Sequence, residues 1–594
     1  MRKIISILII TLVAATSCTR EVLDKAPLDI ITDKVVWNDQ ALIEAYLTNA
    51  YMGMFVFDND NDHHISSSGN HFTMLMLNCV SDECISNHTW AGNANAFKQG
   101  GIRSSGGMLE WWESAYSTIR VLNEFIQRVP ESPVDDAFKK GRVAEARFLR
   151  AFAYFAMVKR YGGVPLILVP QQITDPHESL YPKRAKEQEI YDFILSECDA
   201  IQADLPPSRP ATEVGRPSQF AVWALKSRAA LYAASIAKFG TVQIEGVVGI
   251  DAGKTNAYYQ LAYDAADKII KSGLFKLYDK NPDKIANFKD VFLDENDNPE
   301  RIFVRPHDQI SCDQGGGGWT YDFMQCPTPN AWAQGNNDGP YLETAEAFEK
   351  ADGTPGTLDR TLLQSKLWTT DELWANKDPR FYASIYTLNT AWQGIILDCH
   401  NGIVKPDGSI TTDSYNGVLG KGPSTMKTGF GVLKYLDEKH NNLGDFTTSQ
   451  QDWIIFRYGE VLLNYAEAAF NLGKSNDALD AVNQVRLRAG IKKLDAIDRD
   501  KIRHERQVEL AFEGHRYWDL RRWRVAKSVL TVNRTGLRYI HDANTGKYKI
   551  TVIPKMDGST SDPRFYDANY YFPITPGRIG IDPNLVENPG YQGL

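Results

Sequence analysis

Apolar residues recur every three or four positions along several separate stretches of this chain, and each stretch predicts a helix. Residues 143–160, VAEARFLRAFAYFAMVKR, set Ala, Phe, Leu and Tyr at helical spacing and run out at Tyr161-Gly162-Gly163, ahead of Val164-Pro165. The same grammar returns at 220–238 before Gly240, at 258–272 before Gly273, and at 454–472 before Gly473. Small alanines beside bulky aromatics let helices approach closely in pairs. These stretches therefore predict a mainly α fold built from tetratricopeptide-like helical hairpins, with spacing too irregular for a regular solenoid.

The texture changes between Asp290 and Gln450. Gly315 to Gly318, Trp319, Tyr321, Trp332, Trp368, Trp374 and Trp392 sit among Asn, Asp, Gly, Pro and Thr without a sustained helical period. Long irregular segments inside a helical protein usually carry function. The expected organisation is a helical scaffold over about 30–280 and 450–530, a loop-rich lobe over about 290–450, and a closing segment at 530–594. Trp111 and Trp112 read instead as the entry to a core helix leading to Ile119 and Phe125.

The front end has a different pattern. Arg2 and Lys3 precede an apolar run from Ile4 to Ala15, and Ala15-Thr16-Ser17 leads into Cys18. That run falls short of the ~20 residues a membrane span needs, so residues 1–17 read as a lipoprotein signal peptide with Cys18 as the acylated first residue of the mature chain. A formal net charge of −9 leaves no basic field for nucleic acid. Attachment to membrane is then expected through the N-terminal lipid alone.

Among the other cysteines, Cys79 with Cys84 and Cys312 with Cys326 are spaced so that either pair could bridge, and spacing does not decide it. Cys198 falls in step with Ile190, Ile194 and Ile201, which reads as a buried helical thiol. Catalytic and metal patterns fail on spacing. His504-Glu505 would need a second histidine where Val508 stands, and Gly473-Lys474-Ser475 lacks the upstream glycine of a phosphate loop, since Ala468 occupies it. Asp58 to Asp62 alternates Asp and Asn without the glycine and distal glutamate of a calcium loop, so it reads as a polar loop. Glu505, Glu509 and Glu513, interleaved with Arg506 and Arg516, suit ion pairing on a helix face better than acid–base work. No catalytic residue, metal site or cofactor is expected.

The C-terminal third carries a resemblance. Arg457-Tyr458-Gly459-Glu460 through Ala468, Val482-Asn483-Gln484-Val485-Arg486-Leu487-Arg488-Ala489-Gly490, and Glu505 through Trp523 (ERQVELAFEGHRYWDLRRW) resemble the SusD-like (RagB/SusD) family, as do Tyr571-Phe572-Pro573-Ile574 and Asn588-Pro589-Gly590-Tyr591. Ala146 through Pro165, and Leu23-Asp24 with Pro27 after Cys18, are similar to the family's front half. Gly459 departs from the expected small helix former, at about 1 kcal/mol of propensity.

The resemblance implies an outer-membrane, lipid-anchored protein facing the exterior, which binds glycan and works with a SusC-like TonB-dependent transporter. It also implies that Glu513, His515 and Asp519 are structural. Ligand contacts are not carried by the family pattern; aromatic faces that stack on sugar rings and polar groups that bond hydroxyls are the physical expectation. Trp90, Trp319, Tyr321 and Trp332 are the candidates, with Asp60, Asp82, Arg380 and Trp392 added, and the acidic chain favours a neutral oligo- or polysaccharide. Two other readings stay open: the same fold with a peptide or glycoprotein cargo, and a surface glycosidase.

Overall fold

The computed structural model describes residues 33–57, 76–87, 94–307, 321–327, 335–412, 426–440, 449–557 and 562–594. The predicted helices at 143–160, 220–238 and 258–272 form, as Asp136–Tyr161, Gln219–Phe239 and Thr255–Ser272. Asp135 caps the first by accepting from the Phe138 N–H, and Ser218 caps the second from the Ala221 N–H. Gly273 ends the third at φ 67°, a left-handed C-cap open to glycine at no steric cost.

The prediction at 454–472 is half right. Trp453–Arg457 is a strand, antiparallel to Arg301–Arg305, and the helix starts only at Tyr458 and runs to Asn471. Ile454, Ile455 and Phe456 are β-branched or aromatic, so they accept a strand when a distant partner supplies its hydrogen bonds. Gly473-Lys474-Ser475 makes a tight turn from that helix into Ser475–Ala489.

Helices pack in a continuous row. Gln40–Met52 lies on Glu113–Arg128, which lies on Asp136–Tyr161, then Glu187–Ile201, Gln219–Phe239, Thr255–Ser272, Tyr458–Asn471 and Ser475–Ala489. The row is unbroken in space, although nearly two hundred residues of chain intervene between Ser272 and Tyr458. Alanines allow that seam: Ala262, Ala265 and Ala266 on one helix and Ala466, Ala468 and Ala469 on the other are all buried. Trp111 and Trp112 enter the core ahead of Glu113–Arg128, and Cys198 is buried in Glu187–Ile201, both as expected.

The intervening residues hold short helices and short strands. A four-stranded sheet runs in the order Tyr548–Ile553, Gly536–Asp542, Gly402–Val404, Ile410–Thr412. One hydrophobic core is shared by scaffold and insertion: Phe152, Phe303 and Phe456 meet with ring centroids 6.0 and 6.2 Å apart across helix and strand pair.

Buried ions bolt the insertion to the scaffold. Arg380 donates to Glu505 at 2.7 Å, Glu509 at 2.8 Å and Asp378 at 2.8 Å. Arg457 donates to Glu300, Glu509 and Glu513 at 2.7–2.8 Å, Lys434 reaches Glu513 at 2.7 Å, and Arg488 reaches Glu300 at 2.8 Å and also Glu509. Burial alone would push the Glu509 carboxyl up; Arg488, Arg457 and Arg380 outweigh it and hold it well below the usual carboxylate range. The ion-paired role expected of Glu505 and Glu509 is therefore what the structure shows. Glu513 lies beyond the end of Arg499–Glu509, past a turn in which Phe512 takes φ 63°, rather than on one helix face with them.

Gly459 is explained here too. A Cβ on it would come 2.2 Å from the Arg457 guanidinium and 2.7 Å from Glu300, so a side chain would displace that pair.

Arg380→Ala would leave Glu509, Glu505 and Asp378 short of a cation inside the protein. We expect a loss of about 3–5 kcal/mol in urea unfolding. Ala466→Leu should cost about 1–3 kcal/mol by overpacking the helix row, again read by urea unfolding, with ligand retention by the folded fraction unchanged.

Candidate functional site

Strand Cys84–Ser86 pairs antiparallel with Asp338–Pro340, Ser86 opposite Asp338. The pairing continues past the strands: the Asn87 N–H donates to Asn337 O at 2.8 Å, and the Asn337 N–H donates to Met324 O at 2.8 Å. Three segments distant in sequence are thus zipped edge to edge. A fourth joins through Lys427, whose Nζ donates to Asn87 O at 2.6 Å. Asn95 brackets the first strand by bonding both the N–H and the C=O of Ser86.

Asp322 ties in the next pair of segments. Its carboxylate accepts from the Asp437 N–H at 3.0 Å and Gln451 Nε2 at 3.1 Å, and it meets His440 Nδ1 at 2.9 Å. The Asp322 N–H donates to Ser449 Oγ at 2.9 Å. The contact of His440 Nδ1 with the Asp322 carboxylate raises the His440 pKa. Tyr321 gives its hydroxyl to Lys434 O at 2.6 Å and Tyr386 gives its own to Gln325 O at 3.0 Å. Gly431, opposite Tyr386 across a strand pair, has no room for a side chain: a Cβ would lie 2.0 Å from the ring.

The result is a compact root, rich in amides, from which several chain segments depart. At its centre Asp338 is fully buried and accepts from Asn78 Nδ2 at 3.1 Å, Asn337 Nδ2 at 2.9 Å and the Cys79 thiol at 3.2 Å. Among the described residues no cationic side chain pairs with it. Burial pushes its carboxyl up to about 6 against those hydrogen bonds. Around it, Asn78 Oδ1, Asn87 Oδ1, Asn337 Oδ1, Gln325 Nε2 and both side-chain polar atoms of Asn336 are buried without a hydrogen-bond partner among the described residues. Sequence reasoning missed all of these. The only sequence signal was a turn-like Asn336-Asn337-Asp338-Gly339-Pro340 run, and amides in turns are ordinary.

The candidates drawn from sequence divide in two. Trp90, Trp319, Trp332, Asp60 and Cys18, with Asp58 to Asp62 and Cys312, lie outside the described residues. Tyr321, Asp82, Arg380 and Trp392 are described, and all four are interior. Tyr321 has its ring and hydroxyl inside the root. Asp82 makes a two-point pair with Arg516 at 2.8 and 2.9 Å. Arg380 is committed to its three carboxylates, and Trp392 is 2% exposed. None presents a face to a ligand, because each satisfies charge or apolar area inside the fold. Cys79 and Cys84 are unbridged, buried thiols whose acidity burial suppresses.

Beside the root, Glu83 accepts from the Phe512 N–H at 3.0 Å and from Ser81 Oγ, yet burial still lifts its carboxyl to about 7. A folded-state value above the unfolded one means that its contribution to stability is complete below pH ~4.5 and is lost as pH rises through about 7. Unfolding free energy measured from pH 4.5 to 7.5 should therefore fall on the order of 2–3 kcal/mol more for wild type than for Glu83→Gln. Parallel curves for the two proteins would contradict this.

Two family models match the chain: the SusD family over residues 299–591, and a family described as starch-binding and associating with the outer membrane over residues 23–231. SusD-like protein P38 of Formosa agariphila is 26% identical over 435 residues, covering 70% of this chain and 73% of the relative. The crystal structure of a SusD-like protein from Bacteroides fragilis superposes with a TM-score of 0.71 at 26% identity, covering 96% of this chain and all of that one. Surface glycan-binding protein A from Bacteroides thetaiotaomicron, solved in complex with laminarihexaose, shares the fold at 19% identity and a TM-score of 0.58, covering 92% of this chain and 99% of that one.

Proposed function

We propose, because the chain belongs to the SusD family, that it captures glycan at the outer membrane without cleaving it and passes it to a SusC-like TonB-dependent transporter. The family match covers scaffold and insertion alike, and the fold is shared with a protein solved with laminarihexaose bound. The observation that carries the reading is the pair of family models, which match residues 23–231 and 299–591. The aromatic candidates Trp90, Trp319 and Trp332 are close in sequence to Asn87, Tyr321 and Gly335 of the root.

Aromatic and amide side chains suit the apolar faces and hydroxyls of neutral sugars, and the acidic chain disfavours sulfated or uronic ones. Sugar surfaces are well hydrated, so each contact is modest, and affinity of ~1 mM, about −4 kcal/mol, is expected for a short oligosaccharide. A binder tethered by lipid at Cys18 has no channel of its own, which is why the reading includes a β-barrel partner.

Affinity electrophoresis through a panel of polysaccharides tests it. The cognate neutral glycan should retard the protein without releasing product. Trp90→Ala and Trp319→Ala should each weaken retardation, and the double variant should abolish it with melting unchanged. Normal retardation of the double variant would place the sugar elsewhere; released product would make the protein a glycosidase. Cys18→Ala should move the protein from membrane to soluble fraction, and gentle detergent extraction of the wild type should yield it with a large β-barrel.

A further inference from the structure

Arg524 is a cation held firmly in place with no anion on it. It follows helix Arg516–Arg522 in a turn, with its backbone at φ 57°, a left-handed conformation that few residues other than glycine take up. Strain of that kind persists only where the surroundings enforce it, and it gathers at sites that bind something. The side chain is constrained as well. Its guanidinium lies against the rings of Tyr570 and Tyr571, 4.9 Å from each centroid, while Nη1 donates to Arg521 O at 3.1 Å and Nη2 to the Tyr571 hydroxyl at 2.7 Å.

Those bonds occupy two of the donors that a guanidinium carries and leave the rest open. Among the described residues no carboxylate pairs with it. Asp567 is balanced by Lys527 at 2.8 Å, and Glu187 stands behind Tyr571, whose hydroxyl donates to it at 2.7 Å. Burial raises the Glu187 pKa, so that group offsets the arginine incompletely. Arg380, Arg457, Arg506 and Arg522, by contrast, each close directly on carboxylates.

Arg524 also lines a cavity of about 390 Å³, walled by Phe239, Tyr570, Tyr571 and Pro589, with Asp567 and Thr241 completing it among others. Ligand pockets run from roughly 300 to 1,000 Å³ and combine apolar walls with a few fixed polar groups, so this one has the size and lining for a small molecule. Its walls come from the end of helix Gln219–Phe239 and from the closing segment, none of which belongs to the root.

We propose that this cavity binds a small organic carboxylate, whose oxygens take the open donors of Arg524 while its apolar body lies against the rings. A guanidinium presents its donors in a plane that matches a carboxylate, and the two tyrosines fix that plane before the ligand arrives. A neutral molecule of the same shape leaves the positive charge unanswered, so charge is the feature recognised. The site goes beyond the glycan reading and does not draw on it.

The test titrates sodium benzoate, and benzamide as its neutral counterpart, against the full chain, with binding read by saturation-transfer NMR. Benzoate should receive saturation and benzamide at least tenfold less. Arg524→Lys keeps the charge without the fork and should weaken benzoate several-fold. Arg524→Gly should abolish the signal while melting no lower than wild type, because glycine adopts the left-handed backbone at no steric cost. If that variant fails to fold, Thr241→Trp, at an exposed position on the cavity, should fill the space and abolish the signal instead. Equal transfer to benzoate and benzamide, no transfer to either, or benzoate signals unchanged in Arg524→Gly or Thr241→Trp would overturn the proposal.

Discussion

The rest of this structure depends on a requirement that charges buried between scaffold and insertion neutralise one another. Arg380 and Lys434 come from the insertion, while Arg488, Glu505 and Glu509 come from the C-terminal helices, Arg457 from the end of strand Trp453–Arg457, Glu513 from the turn after Arg499–Glu509, and Glu300 from the approach to strand Arg301–Arg305. Buried ion pairs are poor evidence for net stabilisation, since desolvation consumes most of the Coulomb gain. Their effect is on specificity. A guanidinium that must meet three carboxylates admits one placement of the segments that carry them. Sliding the insertion against the scaffold by a turn would strand several charges in the interior, each at several kcal/mol.

A second group of ions works within the scaffold. Arg522 forks onto Glu467 at 2.6 Å on both oxygens and reaches Asp519 at 2.8 Å, Arg506 meets Asp519 at 2.6 Å, and the Trp523 indole donates to Glu467 at 2.8 Å. The Glu-Gly-His-Arg-Tyr-Trp-Asp-Leu run is absorbed in this way. Asp519 holds its two arginines, and His515 has its proton affinity pushed down by burial and by Arg228 and Arg506 nearby. The most chemically suggestive sequence in the chain thus works as a fastening. On the insertion side, strand Asp338–Pro340 is held by Cys84–Ser86, and the Asn337 N–H just before it donates to Met324 O.

Much of the scaffold was legible in the sequence because its information is local. Helical periodicity and stops such as Gly273 act over a few residues, and they gave the helices and their C-terminal ends closely, while the first helix begins at Asp136, well before the predicted 143, because its cap Asp135 was not read. The burial of Cys198 followed from the same short-range logic, whereas Glu505 and Glu509 are ion-paired with Arg380, Arg457, Arg486 and Arg488 from elsewhere along the chain, and the neighbouring Arg506 and Arg516 pair instead with Asp519 and Asp82. Ile454 to Arg457 was misread because its apolar run is compatible with helix or strand, and only Arg301–Arg305, some 150 residues earlier, decides between them.

What the sequence determined by itself was the family, the helical class, the acidic surface charge and the pattern that leads to Cys18, all of which rest on composition and contiguous motifs. What tertiary structure decided was which polar residues face one another. Arg380 and Asp82 look the same on paper as ligand-binding groups would; they became interior fastenings because carboxylates and guanidiniums from far along the chain close on them. Asn78, Asn87, Asn336 and Asp338 look like turn residues and became a buried polar site because non-local strand pairing seals them from water. A side chain's chemistry is written locally, whereas its dielectric surroundings and its partners are set by segments it meets only on folding.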